Sequence, residues 1–210
     1  MYEIPLDKTT YSKLNKDRYI NSYFRSDSVG KCMQLIDEYY HTANRFTQLG
    51  WETFYLQDRD DRLVEIADII ANRYDYISHF MAYDYVFYRV VGQTYNGFVR
   101  ELKIIKRLSV EFPALNFEKA AYELDEKYFT DFQVYYENEL VMGGQVKPIS
   151  YKYMNTPYQR KAKENHQEQR KLYMDTFNVP HFILYYDGEE IVNLQEYTNK
   201  INIILHLKLM

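Results

Sequence analysis

One stretch decides the fold of this 210-residue chain: DFQVYYENELVMGGQVKPIS, residues 131–150. Its apolar and aromatic residues predict two β-strands, one over Phe132–Tyr136 and the other over Val141–Ile149. The polar residues Glu137–Glu139 lie between these strands and predict a turn. The sequence therefore predicts a β-hairpin at this point of the chain.

Three polar residues of the hairpin are candidates for one site. Side chains alternate along a strand, so Gln145 and Lys147 should lie on one face and Val146 on the other. Asp131 opens the first strand and should approach the same polar patch if the two strands pair. A carboxylate, a carboxamide oxygen and an ammonium would then meet at one end of the sheet.

That combination suits the hydrolysis of a phosphodiester. Mg²⁺ prefers oxygen ligands and keeps several of its waters, so one or two carboxylates and a substrate phosphate are enough to hold it. An ammonium beside the ion, here that of Lys147, stabilises the charge of the transition state or orients an attacking water. An upstream Asp and a strand Lys occur in many proteins, so this pattern alone is not specific for a nuclease. The neighbouring elements decide whether it is informative.

The segments on either side of the hairpin complete an α/β pattern. Tyr158–Phe177 predicts a polar, basic helix, His181–Tyr186 a short buried strand, and Leu194–Leu207 a closing helix. Phe117–Leu124, ahead of the hairpin, predicts a short helix. We therefore expect a mixed central sheet flanked by helices.

The first half of the chain predicts helices. Apolar residues recur at three- and four-residue spacings over Lys31–Gln48 and again over Asp60–Arg73. An aromatic-rich stretch from Tyr74 to about Val110 predicts two further helices, with a break near Gly92 or Gly97. The fold class that we predict is α/β with a largely helical N-terminal half.

Composition limits the domain count and the compartment. Hydrophobic residues make up 46% of the chain and charged residues 27%, which is enough for a packed core. No linker separates the halves, so we expect a single domain over 1–210, with a mainly helical part over 1–112 and the sheet-containing core over 113–210. The sequence shows no charged-then-apolar leader and no apolar run near 18 residues, which predicts a cytoplasmic protein without a membrane segment.

The sequence also excludes several common kinds of catalytic and metal site. The lone Cys32 cannot form a disulfide framework or a cysteine-based zinc site. No glycine-rich phosphate-binding loop, nucleophile elbow or zinc-protease motif occurs. The five histidines are scattered, and none pairs at the spacing of metal ligands. The hairpin is therefore the candidate site that remains.

Charge is unevenly distributed along the chain, whose formal net charge is −4. From Lys147 to Lys171, seven basic residues stand against two acidic ones. Charges act over about a Debye length, roughly 8 Å in physiological salt, so this local excess matters more for a polyanionic partner than the net charge does. A solvated helix face is the other interpretation of the same residues.

Several segments, taken together, resemble a known family. The spacing from Asp131 to Gln145 and Lys147 is similar to the weak signature of the PD-(D/E)XK nucleases, and the order of elements after Asp131 is that of the nuclease core. The segments GQTYNGF at 92–98, GQVKPISY at 144–151 and NVPHFILYYD at 178–187 resemble the MjaI-type family of type II restriction endonucleases. The similarity covers roughly residues 85–195.

The resemblance implies an activity and partners. It implies Mg²⁺-dependent, sequence-specific double-strand cleavage of DNA by a homodimer, through phosphodiester hydrolysis that leaves a 5′-phosphate and a 3′-hydroxyl. A cognate DNA methyltransferase is expected as a separate protein. A palindromic target needs a two-fold dimer, and the helical part over 1–112, including the aromatic stretch from Tyr74 to Tyr95, is our candidate for its surface. The same residues would serve equally as core.

The resemblance also implies roles for the hairpin residues. Asp131 would be the metal-ligating aspartate, Gln145 the second ligand and Lys147 the catalytic lysine. Gln145 departs from the acidic residue typical of the wider nuclease class, because a carboxamide offers an oxygen but no charge. Glu123 or Asp125, on the short helix before the first strand, would supply the missing carboxylate, and we prefer Glu123.

The basic residues after the hairpin would then contact DNA. Phosphate contacts supply the salt-dependent, sequence-independent part of DNA affinity. The residues that we expect to make them are Lys152, Arg160, Lys161, Lys163, Arg170 and Lys171. Two alternatives stay open: a nuclease of repair, recombination or phage origin, and a catalytically inactive nuclease-like DNA-binding module in which Gln145 marks a lost site.

Overall fold

The computed structural model describes residues 1–24, 29 and 31–208, which divide into two units, 1–100 and 101–210. Helices build the first unit, and the second contains a mixed β-sheet with helices packed on it. The predicted α/β class with a largely helical N-terminal half is therefore confirmed, whereas the single domain stays a prediction. No helix of the described residues has both the length and the apolar character needed to cross a membrane.

The helices of the first unit only partly follow the predicted bounds. Within the described residues they include α1 (Lys8–Lys16), α2 (Arg18–Ser22), α3 (Cys32–Thr42), α4 (Gln48–Leu56), α5 (Asp60–Arg73), α6 (His79–Phe87) and α7 (Gln93–Glu111), the last of which continues into the second unit. The helix predicted over Asp60–Arg73 is confirmed. The helix predicted over Lys31–Gln48 is too long, because Ala43 is extended and Thr47 starts a new helix by accepting a hydrogen bond from Gly50 N at 3.1 Å.

A π-helical turn, Tyr88–Gly92, joins α6 to α7 where the sequence predicts a break. The wider turn changes the helical hydrogen-bond pattern, and the buried indole of Trp51 donates to the Val91 carbonyl at 3.0 Å. Helical backbone therefore runs on through Gly92 and Gly97, and the glycines do not interrupt it.

Asp17 connects the first helices of this unit to the end of α5. Its carboxylate caps α2 by accepting a hydrogen bond from Tyr19 N at 2.8 Å, and it lies 2.9 Å from Arg73 Nε. The Tyr74 hydroxyl also donates to it. The hydrogen bonds from Tyr74 and then Arg73 outweigh burial and lower the pKa of Asp17 to about 2.

The second unit is organised around the sheet. Its elements after α7 are β1 (Asn116–Lys119), α8 (Tyr122–Tyr128), β2 (Phe132–Tyr136), β3 (Glu139–Pro148), a 3₁₀ helix (Ile149–Tyr153), α9 (Pro157–Phe177), β4 (His181–Asp187), β5 (Glu190–Ile191) and α10 (Leu194–Lys208). In the described part of the chain the strands lie in the order β1-β2-β3-β4-β5. The β3–β4 pair is parallel and the other pairs are antiparallel.

The predicted hairpin is confirmed. Strands β2 and β3 pair antiparallel, with Phe132 opposite Gly144. Between them, Glu137 and Asn138 have positive φ angles of 49° and 67°, which suits a tight hairpin turn. The second strand ends at Pro148, one residue short of the predicted end.

The short helix predicted over Phe117–Leu124 is wrong. Asn116–Lys119 forms strand β1, which pairs with β2, and the helix begins only at Tyr122. Phe117 is buried, while its neighbours Asn116 and Glu118 are exposed, so this segment has the alternation of a strand. Pairing with β2 decides the outcome, and that contact lies outside the local pattern.

The parallel pair is connected by the basic helix α9. Thr156 and Gln159 form a capping box at its start, with Pro157 in the first turn, and the chain leaves the helix at Asn178 in the left-handed conformation. The predicted strand after it is confirmed as β4. In this register Lys147 lies beside Tyr185.

Two consecutive glycines in β3 allow aromatic rings to lie against both faces of the strand. A Cβ at Gly143 would come within 2.5 Å of the Tyr173 ring from α9, and a Cβ at Gly144 would overlap the Phe132 ring. Phe132 belongs to the hydrophobic core that α7 and α10 complete, and it is fully buried. Neither ring has room to move far, so side chains are excluded at both positions.

We expect Gly144→Ala to destabilise the protein by about 2 kcal/mol, since overpacking a filled core costs roughly 1–3 kcal/mol. The matched control is Gly97→Ala in α7, where nothing lies within 4 Å of the added Cβ. There alanine should gain about 0.5–1 kcal/mol through its helix propensity. Urea unfolding measures both changes, and equal midpoints for Gly144→Ala and the wild type would contradict the packing argument.

Two substitutions of Asp17 should separate the stabilisation that comes from capping α2 from the stabilisation that comes from its negative charge. Asp17→Asn keeps a good N-cap residue but loses the negative charge, and Asp17→Ala loses both, so we expect costs of about 1 and about 2 kcal/mol at pH 7. The pKa of Asp17 is lowered on folding, so its stabilisation is present above pH 4 and is lost as the pH falls through about 2. The difference between Asp17→Asn and the wild type should therefore shrink in acid. A pH-independent difference in unfolding midpoint would show that the charge is not responsible.

Candidate active site

Asp131 is held against strand β3 by its own side chain. Its Oδ2 accepts a hydrogen bond from Val146 N at 2.7 Å, and its backbone N donates to the Gly144 carbonyl at 2.8 Å. The residue is only 1% exposed. Since Val146 lies between Gln145 and Lys147, the structure brings the carboxylate to the segment of β3 that carries the other two predicted residues.

Gln145 is fully buried, yet its carboxamide has no hydrogen bond. Neither its Oε1 nor its Nε2 has a partner among the described residues. Leaving such a group unpaired in the interior costs about 1–3 kcal/mol. The carboxamide oxygen is therefore available to a ligand that accepts electron pairs, such as a metal ion.

Two further carboxyl groups surround Asp131. Asp125, in α8, makes a side-chain hydrogen bond to Asp131, and burial together with the charge of Asp131 raises the pKa of Asp125 to about 7. Glu101, in α7, has a side chain that is 13% exposed, and partial burial followed by the charge of Asp131 raises its pKa to about 8. Both groups are thus neutral over a range of pH in which an exposed carboxyl is ionised.

Lys147 lies next to these acids, at the rim of the cluster. Its Nζ is 4.6 Å from the centre of the Phe129 ring, and its positive charge acts on both Asp125 and Glu101. Phe129 ends α8 in the left-handed conformation and stacks on His166 at 3.9 Å. The ammonium therefore lies over an aromatic ring and close enough to the carboxyl groups to influence their pKa values.

A second lysine, Lys119, is missing from the sequence-based prediction. It is the last residue of β1, its side chain is 8% exposed, and its Nζ lies 3.3 Å from Glu101 Oε2. Burial alone would lower the pKa of Lys119, but the charges of Glu101, Asp131 and Asp125 raise it overall. The cluster thus contains its own buried positive charge.

Neither Glu101 nor Lys119 is a candidate site residue in the sequence-based prediction, because the local sequence does not indicate that either lies near Asp131. Glu101 falls on the apolar side of α7 with Ile104, Ile105 and Leu108, and a lone acid on a buried stripe is its only sequence signal. Lys119 falls in the segment wrongly predicted as a helix. Their proximity to Asp131 arises from tertiary packing, so no spacing of residues in the sequence predicts it.

Glu123, the preferred third ligand on sequence grounds, lies apart from these interactions. Its side chain is exposed, whereas Asp125, two residues on in the same helix, is turned inward and bonded to Asp131. Throughout the described residues, no three His, Cys, Asp or Glu side chains have an arrangement that would hold a metal ion on their own. A set of two carboxyls and the unpaired carboxamide oxygen still fits Mg²⁺, which needs only one or two carboxylates besides water and a substrate phosphate.

The predicted DNA-binding residues divide into two groups. Arg160, Lys161 and Lys171 are exposed along α9. Lys163 and Arg170, on the same helix, are half-buried, and with Lys152 of the 3₁₀ helix they line a pocket against β4. All six lie in the second unit, which also contains the carboxyl cluster.

His181 connects Arg170 to the residue before Asp131. Arg170 donates from Nε to His181 Nδ1 at 3.1 Å and from Nη2 to the His181 carbonyl at 2.8 Å. On its other side, His181 Nε2 lies 3.2 Å from the Thr130 hydroxyl. Burial and then the charge of Arg170 lower the pKa of His181 to about 3, so this ring is neutral. It therefore serves as a structural contact in this unit.

Comparison with known proteins identifies the family. The family model described as MjaI restriction endonuclease matches residues 14–201, which is nearly the whole chain. No curated protein and no solved structure gives a significant match. The matched range contains the hairpin, the carboxyl cluster and helix α9. The resemblance inferred from the sequence is confirmed, and the chain belongs to the MjaI restriction endonuclease family.

Proposed function

We propose that this protein is a type II restriction endonuclease that makes Mg²⁺-dependent, sequence-specific double-strand cuts in DNA. The observation that carries the proposal is the buried carboxylate of Asp131, which Val146 N binds between Gln145 and Lys147 on β3, next to the unpaired carboxamide position of Gln145. Family membership supports a nuclease. The chemistry of the cluster supports hydrolysis of a phosphodiester at this place.

Asp131, Asp125 and the carboxamide oxygen of Gln145 would hold the Mg²⁺ ion. When bound, Mg²⁺ would polarise the phosphate and lower the pKa of a water. The hydrogen bond from Val146 N keeps one oxygen of Asp131 fixed, and the contact with Asp125 orients the group further. Pre-positioned ligands of this kind reduce the reorganisation that binding requires.

Lys147 would act on the reacting phosphate. Its ammonium stabilises the negative charge that builds up on the phosphate oxygens, and it orients the attacking water. The water oxygen bonds to phosphorus while the bond from phosphorus to the 3′-oxygen breaks. One proton of the water is lost and the 3′-oxygen gains one, which yields a 5′-phosphate and a 3′-hydroxyl.

The exposed cations of α9 would bind the DNA backbone. Arg160, Lys161 and Lys171 face solvent, where phosphate contacts can form over a range of sequences. We further propose that the enzyme is a homodimer whose surface lies in the helical part over 1–112, and that a separate DNA methyltransferase protects the target. Phe80 of α6 is 72% exposed and is a candidate contact of that surface.

Cleavage of phage DNA tests the proposal. The wild type should give discrete fragments in Mg²⁺ and none in EDTA, and Lys147→Ala should cut at least 10²-fold more slowly because the stabilising charge is lost. Lys106→Ala removes an exposed lysine of α7 and should cut like the wild type. A smear would indicate a nuclease of another kind, and intact DNA with the wild type would indicate an inactive binding module.

A matched pair of variants in α8 tests the metal ligands. Asp125→Asn should raise the Mg²⁺ concentration for half-maximal cleavage by about 10- to 100-fold, which is typical of the loss of a group that ligates or orients a ligand. Glu123→Gln changes an exposed carboxyl of the same helix and should leave that concentration within twofold. The reverse order of effects would return the role to Glu123.

A further inference from the structure

A pocket of about 210 Å³ lies between the 3₁₀ helix, α9 and β4. Its walls include three cations, Lys152, Lys163 and Arg170, and two tyrosines, Tyr151 and Tyr185. Ammonium and guanidinium groups only donate hydrogen bonds, and a phenol can donate one. The lining therefore suits a compact anion.

The chain fixes these cations without neutralising them. Lys163 Nζ donates to the Lys152 carbonyl at 2.9 Å, and Lys152 Nζ lies 4.3 Å from the centre of the Tyr185 ring. Arg170 is held by His181. Within the described ranges, no carboxylate forms an ion pair with any of the three cations. Glu196, whose charge Lys152 influences, is paired with a lysine of its own helix at 2.6 Å.

A bound anion would neutralise part of the positive charge of this pocket. Arg170 is half-buried, and a charge that leaves water without a counter-charge is unfavourable. A phosphate group offers several oxygens that can accept from a guanidinium fork, from ammonium groups and from a phenol together. Carboxylates satisfy fewer donors, so the pocket is better matched to phosphate.

The pocket shares its walls with the candidate active site. Tyr185 is the register partner of Lys147 across the parallel pair β3–β4. His166, another wall residue, stacks on Phe129 at 3.9 Å, and Lys147 Nζ lies over the same Phe129 ring. One aromatic layer therefore separates the pocket from the lysine that we place at the scissile phosphate.

We propose that this pocket binds a phosphate of the DNA backbone other than the one that is cleaved, and thereby positions the strand at Lys147. The proposal rests on the proposed nuclease function. It gives the half-buried cations of α9 a positioning role that the exposed ones on the same helix do not have.

Binding of inorganic pyrophosphate, measured by calorimetry without divalent metal, tests the pocket itself. Lys163→Met keeps the aliphatic stem and should raise the dissociation constant at least fivefold. Lys106→Met, on an exposed face of α7, should stay within twofold of the wild type, and so should Lys147→Ala, which locates the anion away from the active site. Failure of the wild type to bind, or equal binding by Lys163→Met, would overturn the proposal.

Single-turnover cleavage at saturating DNA tests the positioning role. Lys163→Met should cut about tenfold more slowly even when all enzyme is bound, whereas Lys106→Met should match the wild type. Loss of pyrophosphate binding with unchanged DNA affinity and unchanged cleavage rate would mean that the pocket takes a free anion, and it would overturn the assignment to DNA.

Duplex binding at graded salt separates this proposal from the nuclease function. If the wild type cuts no DNA, the proposed function fails, but the phosphate contact can still be counted. The slope of log affinity against log salt is negative, and loss of one phosphate contact should reduce its magnitude by about 0.9. An unchanged slope for Lys163→Met would then count against the pocket as well.

Discussion

The hydrogen bond from Val146 N to Asp131 Oδ2 fixes one carboxylate to the backbone of the central strand, and the other groups of the cluster are arranged around that charge. Asp125 bonds to it, and the pKa values of Asp125 and Glu101 rise partly because of it. The charge of Asp131 also raises the pKa of Lys119, and the positive charge of Lys147 acts on Asp125 and Glu101. A backbone donor cannot be lost by substitution of a side chain, so the position of this charge depends on the hairpin itself.

The scaffold around the cluster is largely aromatic. Rings from β2 and α9 press on the two glycines of β3, and Phe129 and His166 form a stacked pair beside Lys147. Such contacts restrict the sheet end on both faces without adding charge to it. The carboxyl cluster therefore lies beside a sheet whose core face is largely apolar, and regular elements of this kind hold functional side chains more precisely than loops do.

The hairpin was predictable because its evidence is local. Alternation and turn chemistry lie within twenty residues, and they place Gln145 and Lys147 on the strand that carries them in the structure. Strand β1 was not predictable in this way, because pairing with β2 outweighed an apolar spacing that also fits a helix. Glu101 and Lys119 come together with Asp131 only through packing of α7 and β1, so a single sequence holds no signal of their contact.

The choice between Glu123 and Asp125 shows the same limit at a finer scale. The two acids lie two residues apart on one helix, so their side chains point about 200° apart and only one of them can face Asp131. The preference for Glu123 rests on the resemblance to other nucleases, and the local sequence does not show which acid faces the sheet. Packing of α8 turns Asp125 inward and leaves Glu123 exposed.

The unpaired carboxamide of Gln145 has a consequence for the energetics of folding. A sequence optimised only for stability would place an aliphatic side chain at this buried position, because that would remove two unsatisfied polar atoms from the interior. The native sequence is thus locally frustrated in the middle strand of its sheet. Any ligand that satisfies this group binds the folded chain in preference to the unfolded one, so occupancy of the site and thermal resistance of the unit are thermodynamically linked.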